Sequence, residues 1–363
     1  MQCAEPIASL AVALGIGAST AILTLADAVL WRTLLIPSPK NLVEVLWESK
    51  DRPEGLYRGS SGSQFPDGAM RVADFFSTVS YQQMRTALAG KAEVAGHVSS
   101  SLASTSFEGK VAVARVRGVT GNFFKALQLL PFEGRLLVDS DDNAAAIPVV
   151  VVTHRFWAGR LGGNSTAVGQ AIRINNIAYS IAGILPQGFL GIVPGEGTDI
   201  YAPLLQSPQL LSEDSWFREA SVTGESWWLQ LIARRDPGVT ETELRNLLDM
   251  PFASSWMARP KSPAATPHIR ISDASHGLGS IRGTFGDPVR ILLALVSMVL
   301  IVACANIANL LLARAVAREK EVALRVSLGC RTGWLMRQFF TESLMLAAIG
   351  GLLVLGLPQF YVN

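Results

Sequence analysis

The hydrophobic residues of this chain are concentrated in three long runs that contain no Asp, Glu, Lys or Arg. The runs are residues 6–26, 291–313 and 343–363. A bilayer core about 30 Å thick is crossed by roughly 20 residues of α-helix, so each run is long enough to span it. A helix also satisfies its own backbone hydrogen bonds inside lipid. The pattern therefore predicts three transmembrane helices, with buried helices of a soluble core as the alternative.

The first run could instead belong to a cleaved signal peptide, because residues 26–28 (Ala-Asp-Ala) resemble a small-residue cleavage site. A signal peptide begins with positive charge and has a shorter apolar stretch, whereas residues 1–6 carry only Glu5. We therefore favour an uncleaved helix and assign residues 1–36 to the first transmembrane helix and its exit.

Positive charge between the second and third runs sets the predicted orientation. The net charge of the chain is only +2, but residues 314–342 contain six Arg or Lys residues and three Glu residues. Short loops rich in Lys and Arg stay on the cytoplasmic side of a membrane. The sequence therefore predicts a multi-pass protein of the cytoplasmic (inner) membrane. Its long stretch 37–287 would lie in the periplasm or the extracellular space.

The stretch 37–287 has the mixed pattern of an α+β domain, and its length favours two subdomains. Runs rich in β-branched and aromatic residues predict strands at residues 42–47, 111–116, 147–152, 171–175, 178–185 and 227–235. Helical periodicity is present between them, at residues 73–88, 121–127 and 239–250. In the last of these, Thr240 and Glu243 have the spacing of a capping box. Residues 59–68 predict a flexible loop, and residues 257–268 a proline-rich connection.

Motifs for catalysis and for cofactor binding are absent from the sequence. There is no G-x-x-x-x-G-K-[ST] phosphate loop, no G-x-S-x-G elbow and no H-E-x-x-H metal pair. The four histidines are widely separated, and we interpret each as a surface or hydrogen-bonded residue. Residues 139–143 (Asp-Ser-Asp-Asp-Asn) lack the glycine and glutamate of a calcium loop and predict a solvated acidic turn. We predict no catalytic residue, no metal site and no cofactor bound by this chain.

Residues 147–189 contain a specific series of residues: a β run, then Phe156-Trp157, Arg160, Gly162-Gly163, Val168-Gly169, residues 172–175, Tyr179, residues 181–183 and residues 186–189. In this series the segment resembles the extracytoplasmic core of MacB-type ABC transporter permeases. The flanking residues 119–135, 199–204 and 233–240 are similar to the same family. Residues 292–351 resemble its FtsX-type permease module. The subgroup that the chain most resembles is the duplicated orphan permeases of acidobacterial type.

This resemblance implies an α-helical transmembrane bundle, three helices of which are present, with a large α+β extracytoplasmic domain. It implies a MacB-like core at residues 37–287 and an FtsX-like module at residues 288–363. The module would consist of a second helix at 291–313, a cytoplasmic coupling loop at 314–342 and a third helix at 343–363. Because the family's module has four membrane helices, we expect the chain to be truncated after the third or to be one half of something longer.

The resemblance also implies the function of a non-catalytic permease subunit. ATP would bind to a separate cytoplasmic ABC ATPase, and a second permease half or a homodimer would complete the transporter. Envelope proteins and membrane lipid are further expected partners; nucleic acid is not. The residues expected to couple to the ATPase are Glu321, Arg325, Leu328, Gly329 and Arg331. Interfacial anchoring and positive-inside charge are the alternative explanation of the same residues.

Small and amide side chains in the membrane runs predict contacts between helices. Ala11, Gly15 and Ser19 recur every four residues on the first helix, a spacing that allows close approach. Asn306 and Asn309 lie about one turn apart on the second helix and are expected to face the same neighbour. A substrate or proton path is the alternative role for this pair. The alternative function for the whole chain is a membrane-anchored extracytoplasmic binding or sensor protein that needs no ATPase.

Overall fold

The computed structural model describes residues 33–143, 145–193, 195–206, 224–278 and 291–299, and single positions between residues 301 and 341. The chain divides into two compact units, Trp31–Thr284 and Met1–Leu30 together with Phe285–Asn363. In the second unit, residues 291–299 are helical and mostly exposed. Among the residues described, no helix combines the length and the apolar character that a membrane crossing requires. The three-helix bundle therefore stays a prediction.

The larger unit contains strands and helices in alternation. Within its described residues the strands are β1 Leu42–Ser49, β2 Gly59–Ser60, β3 Gln64–Asp67, β4 Met70–Ala73, β5 Ala92–His97, β6 Ser101–Phe107, β7 Lys110–Val119, β8 Glu133–Gly134, β9 Val149–Val152, β10 Ala171–Ile174, β11 Ile177–Ile184, β12 Ile200–Pro203, β13 Ser226–Trp227, β14 Gln230–Arg235 and β15 His268–Asp273. The α-helices are α1 Thr78–Ala87, α2 Phe123–Leu127, α3 His154–Arg160 and α4 Glu241–Ser254. Short 3-10 helices lie at Pro39–Asn41, Asp139–Asp141, Leu204–Gln206 and Pro263–Ala265.

One mixed sheet connects 13 of these strands. Its order is β12-β9-β11-β10-β6-β7-β5-β14-β1-β4-β3, with β15 paired to β1 and β8 paired to β11. Strand β12 also pairs in parallel with β7, so the first six strands close into a ring. We call this ring the barrel half, and the strands β5, β14, β1, β15, β4 and β3 the open half. Both halves belong to one continuous sheet inside one compact unit, and the expectation of two subdomains stays a prediction.

The barrel half is filled by apolar side chains that alternate along its strands. Ile172 and Ile174 of β10 point inward, as do every second residue of the neighbouring strands, because successive side chains of a strand face opposite sides. Helix α3 adds Phe156 to this core. The helix begins where the Thr153 hydroxyl accepts a hydrogen bond from the Phe156 amide at 3.3 Å. Each fully buried Ile or Phe contributes about 1.5–3 kcal/mol of transfer free energy.

The open half buries one face of its sheet beneath helices α1 and α4. Met84 of α1 and Leu248 and Phe252 of α4 are completely buried in the same core as Trp47. The Trp47 indole donates a hydrogen bond to the Phe75 carbonyl at 2.9 Å, so its polar atom is satisfied inside the core.

Most elements expected from the sequence are present, and the α+β character of the domain is confirmed. Helix α4 begins after Thr240, whose hydroxyl accepts a hydrogen bond from the Glu243 amide at 3.2 Å, as the capping spacing predicts. Strands β5, β6 and β15 were not expected. Their residues are small, polar or charged in part, which weakens the alternating apolar pattern.

The prediction of a flexible loop at residues 59–68 is wrong, because this segment contains β2 and β3. A buried carboxylate holds the segment in place. Asp74 accepts hydrogen bonds from the Ser63 amide and from the Gln230 side chain, each at 2.6 Å. Gly62 passes so close that a Cβ there would lie 2.6 Å from the Asp74 Oδ1 atom. Burial raises the pKa of Asp74, against the lowering effect of these hydrogen bonds.

We predict that Asp74→Ala destabilises the domain by about 1–3 kcal/mol, because the Ser63 amide and the Gln230 amide lose their buried acceptor. Asp74→Asn should cost less than half as much, since an Asn side chain with a rotated Gln230 amide can re-form both contacts. Thermal unfolding of the full chain in detergent and hydrogen exchange of the Ser63 amide would measure the difference. Unchanged protection of that amide in Asp74→Ala would contradict the account.

Candidate functional site

The two halves of the sheet are joined by a very short pairing between β5 and β7. His97 of β5 and Val119 of β7 are the residues in register. Two flanking backbone hydrogen bonds extend the join, from the Val98 amide to the Gly118 carbonyl at 3.0 Å and from the Thr120 amide to the Gly96 carbonyl at 2.9 Å. This short pairing is supported by an apolar core that both halves share, with Ala95 and Ile232 from the open half and Val119 and Val151 from the barrel half, and polar contacts add to it.

Arg117 supplies those contacts from a buried position on β7. Its side chain is 2% exposed and forms an ion pair with Glu196 in the loop before β12. It donates a hydrogen bond to the Val98 carbonyl at 2.7 Å and lies 3.4 Å from the Thr198 hydroxyl. Burial lowers the pKa of Arg117 and the charge of Glu196 opposes this, so the guanidinium stays charged. The pair ties the β5–β7 join to the loop on the other side of β7.

His97 accepts a hydrogen bond from Arg117 and is itself uncharged. Its Nδ1 atom lies 3.1 Å from the Arg117 guanidinium, and its ring is completely buried. Burial first, and then the neighbouring positive charge, hold the pKa of His97 well below its ordinary value. The neutral tautomer therefore has its proton on Nε2 and its lone pair on Nδ1. His97 is thus a hydrogen-bonded core residue, as the sequence suggests for this chain's histidines.

A cleft of about 560 Å³ lies beside this junction, between helix α1 and the loops that precede and follow the barrel strands. Arg85 of α1 crosses it and pairs with Asp139 at 2.6 Å. The Tyr81 hydroxyl, also on α1, donates to the Asn122 side chain at 3.1 Å. Asn122 in turn donates to Glu93 at 2.6 Å. A network of polar side chains therefore links α1 of the open half to the barrel half.

The segment 139–143 was predicted to be a solvated acidic turn, and Asp139, Ser140 and Asn143 are indeed exposed, whereas Asp141 is not. Asp141 is buried and binds both guanidinium nitrogens of Arg135, at 2.6 and 2.8 Å. These hydrogen bonds lower the pKa of Asp141 although burial alone would raise it. Asp142 accepts a hydrogen bond from the Leu205 amide at 2.7 Å. Burial raises the pKa of Asp142 to about 6. Only the outer part of the segment is solvated.

The residues predicted to couple to an ATPase all lie outside the described residues; they are Glu321, Arg325, Leu328, Gly329 and Arg331. The same is true of four residues predicted to pack membrane helices, Ala11, Gly15, Ser19 and Asn306. Asn309 is described, and it is helical and exposed. The roles assigned to all ten residues stay predictions.

Sequence reasoning missed the junction and the cleft. A usable signal was present at Arg117, because it stands among apolar residues in the second part of strand β7, and a charged residue requires a partner when it is buried. Its partner Glu196 is 79 positions away along the chain, and nothing in its neighbourhood indicates the pairing. Prediction of the cleft would have required the relative positions of α1 and the loop at residues 139–142, which are known only from the fold.

Comparison with known proteins assigns both parts of the chain. Residues 7–249 match the family model described as the MacB-like periplasmic core domain, and residues 293–362 match the FtsX-like permease C-terminal model. The macrolide export ATP-binding/permease protein MacB of Bdellovibrio bacteriovorus is 21% identical over 253 residues, which cover 67% of this chain and 35% of that protein. MacB of an Azoarcus species is 22% identical over 215 residues, 59% of this chain and 30% of that protein.

The described fold is also similar to the crystal structure of the periplasmic region of MacB from Actinobacillus actinomycetemcomitans. The identity is 15% and the TM-score 0.42, with 73% of this chain and 98% of that chain covered. The chain spans about a third of the length of the curated relatives that it matches.

At the junction, we predict that Arg117→Met and Glu196→Gln are each strongly destabilising, because each leaves the other member of the ion pair without its partner. The loss in Arg117→Met should be about 3–5 kcal/mol. The double variant should be more stable than the sum of the two losses predicts, since no lone charge remains. A double-mutant cycle on unfolding of the full chain would measure this coupling. Strictly additive losses would contradict the pairing.

At the cleft, we predict that the free energy of unfolding falls as pH rises from about 4 to 6. The folded state, in which the pKa of Asp142 is about 6 rather than the ordinary 3.8, holds the proton more tightly than the unfolded state across this window. Asp142→Asn should reduce this slope by the contribution of Asp142, which is on the order of 2–3 kcal/mol over the window, while the raised pKa of Asp74 keeps a part of it. Unfolding measured at several pH values tests this, and an identical slope in both proteins would refute it.

Proposed function

The chain belongs to the MacB/FtsX-type permease family, and from that premise we propose that it is a non-catalytic permease subunit of an ABC transporter or mechanotransmission complex. A separate cytoplasmic ATPase would hydrolyse ATP, and this chain would couple the hydrolysis to movement of its extracytoplasmic domain for export or envelope remodelling. The observation that carries the proposal is the order of the two family matches, a periplasmic core at residues 7–249 followed by a permease segment at 293–362.

The names of the relatives support a partnership with an ATPase. The matching proteins are named as combined ATP-binding and permease proteins, and this chain matches about a third of their length. The two family models that match it describe a periplasmic domain and a permease. We therefore place ATP on a partner subunit, and we place a second permease half or a second copy of this chain beside it. Membership of the acidobacterial-type subgroup is part of this proposal.

The charge pattern supports a defined membrane topology for this subunit. Residues 6–26, 291–313 and 343–363 would cross the inner membrane, and the basic residues of the loop 314–342 would keep that loop in the cytoplasm. The large domain would then face the periplasm or the extracellular space. Lipid contacts the three spans, with Ala11, Gly15 and Ser19, and Asn306 with Asn309, in their helix contacts.

The segment 303–329 is proposed to transmit movement because it continues from apolar to charged sequence without a proline. A continuous helix carries a displacement better than a hinged loop does. Glu321 and Arg325 have the favourable i,i+4 order on such a helix. Leu328 is the apolar residue that we place against the ATPase, with Gly329 ending the helix and Arg331 following it.

The exported domain has features that suit the transmission of movement. Its two halves share one sheet, and Arg117 with Glu196 strengthens the narrow join between them. A domain whose halves are joined in this way would move as a single rigid body when force is applied to it. The alternative function, a membrane-anchored binding or sensor protein without an ATPase, is favoured by a different observation, the cleft beside Asp142.

We predict that Leu328→Glu abolishes stimulation of ATP hydrolysis by the permease while the chain remains inserted and folded. A buried glutamate at the docking surface would cost several kcal/mol, enough to reduce complex formation more than tenfold. The measurement is ATP hydrolysis by the co-purified complex in lipid nanodiscs, with insertion and unfolding of the exported domain monitored in parallel.

Two matched variants control this experiment. Leu328→Met keeps an apolar surface and should retain stimulation. Leu102→Glu makes the same substitution at a residue that is 64% exposed on the exported domain, and it should also retain stimulation. Normal stimulation in Leu328→Glu would remove the docking role from this residue, and loss of stimulation in both glutamate variants would show a non-specific effect.

A further inference from the structure

The cleft beside the junction is built as a binding site. One wall is a face of helix α1 and its end, where Thr78, Gln82, Thr86 and Ala89 follow one another at helical spacing. The volume of about 560 Å³ is within the range of sites that hold small molecules in proteins. The opposite wall comes from the loops of the barrel half, so a molecule in this cleft would touch both halves of the domain.

The charges in the cleft are unbalanced. Arg85 is the cationic side chain in its lining, and its guanidinium is paired with Asp139 at 2.6 Å. Asp142 accepts hydrogen bonds from the backbone amides of Leu205 and Gly121. No Lys, Arg or His forms an ion pair with Asp142 within the part of the chain that the structure describes. A carboxylate has about four lone pairs, so acceptor capacity is left over after two amide hydrogen bonds.

The environment of Asp142 favours compensation of its charge by something outside the chain. Desolvation is the main reason that its pKa is raised to about 6, and Asp139 raises it further. The amides of Leu205 and Gly121 and the charge of Arg85 oppose this only in part. A positive group placed next to Asp142 would offset the free-energy cost of desolvating its negative charge. The attraction between the two charges would also be stronger in this partly desolvated site than in water.

The other residues that line the cleft indicate what the uncharged part of a bound ligand would be. Leu205 is 39% exposed and forms the apolar side of the cleft next to the carboxylate, with the buried Leu204 behind it. The Thr86 hydroxyl donates to the Gln82 carbonyl at 2.9 Å, which leaves its methyl group on the wall. An apolar body would therefore be accommodated beside a charged head group.

We propose that this cleft binds a small organic cation, a protonated amine on an apolar body, whose ammonium group donates hydrogen bonds to the Asp142 carboxylate. The apolar part of the ligand lies against Leu205. This site is separate from the proposed ATPase-docking residues, and the inference does not depend on the permease function. It predicts that binding is linked to the ionisation of Asp142.

The test uses phenethylamine and its neutral counterpart 2-phenylethanol as probes of the full chain in detergent. Titration calorimetry at pH 7.5 should show the amine binding at least tenfold more tightly than the alcohol. At pH 5.0 the amine is still protonated but Asp142, with a pKa of about 6, is mostly neutral, so amine affinity should fall about tenfold. The affinity for the alcohol should stay within about twofold, because it does not depend on the carboxylate charge.

Substitutions complete the test. Asp142→Asn keeps the size of the side chain and an acceptor for the Leu205 amide, and it should remove both the preference for the amine and its pH dependence. Asp51→Asn, at an exposed aspartate outside the cleft, should behave as the unmodified chain does. Thermal unfolding of each variant shows whether it is folded. Equal affinity for amine and alcohol, absence of amine binding, tighter amine binding at pH 5.0, or an unchanged preference in Asp142→Asn would each overturn the proposal.

Discussion

A buried positive charge at Arg117 lies where the two halves of the sheet in the Trp31–Thr284 unit meet, and the polar part of that junction depends on it. The barrel half and the open half of the sheet meet through one residue pair, His97 and Val119. Burying a guanidinium is costly unless it is paired and hydrogen-bonded. Glu196, the Val98 carbonyl and a neutral His97 satisfy it here. Because these partners come from both sides of β7, the buried charge stabilises the junction together with the apolar core that the two halves share.

The same junction explains why the cleft lies where it does. Helix α1 belongs to the open half, and the loop at residues 139–142 belongs to the barrel half, so the space between them is fixed by the join. Arg85 and Asp139 bridge it at its surface, while Asp142 lies deeper with a raised pKa. A ligand in this cleft would change the contacts between the halves. Under the proposed function, ligand binding in the cleft would therefore act on the part of the protein that moves.

Periodicity predicted those parts of the fold that local physics determines. Helix α4 and its cap at Thr240, and strands such as β9 with four consecutive buried valines, follow from spacing and propensity alone. The strand structure at residues 59–68 could not be predicted, because β2 pairs with the distant strand β13 and because Gln230, which binds Asp74, is 156 positions away from it. The burial of Asp141 likewise depends on Arg135 and on the fold around it.

The functional residues also divide into those that the sequence predicted and those that only the fold revealed. The spans and the coupling loop were assigned from charge placement and from family resemblance, and most of their residues lie outside those described. Arg117 and Asp142 acquire their roles only when separate segments are brought together. Charge patterns within one segment are visible in a sequence, whereas burial of a charge is a property of the folded chain.

The central claim is that this chain works with a separate ATPase. The most direct measurement is affinity purification of the chain from membranes in a gentle detergent, with identification of its companions by mass spectrometry. The account predicts recovery of a cytoplasmic ATPase that carries a phosphate-binding loop, in stable proportion to the permease. Recovery of the folded chain alone, or with envelope proteins and no such ATPase, would contradict it and favour an anchored binding protein.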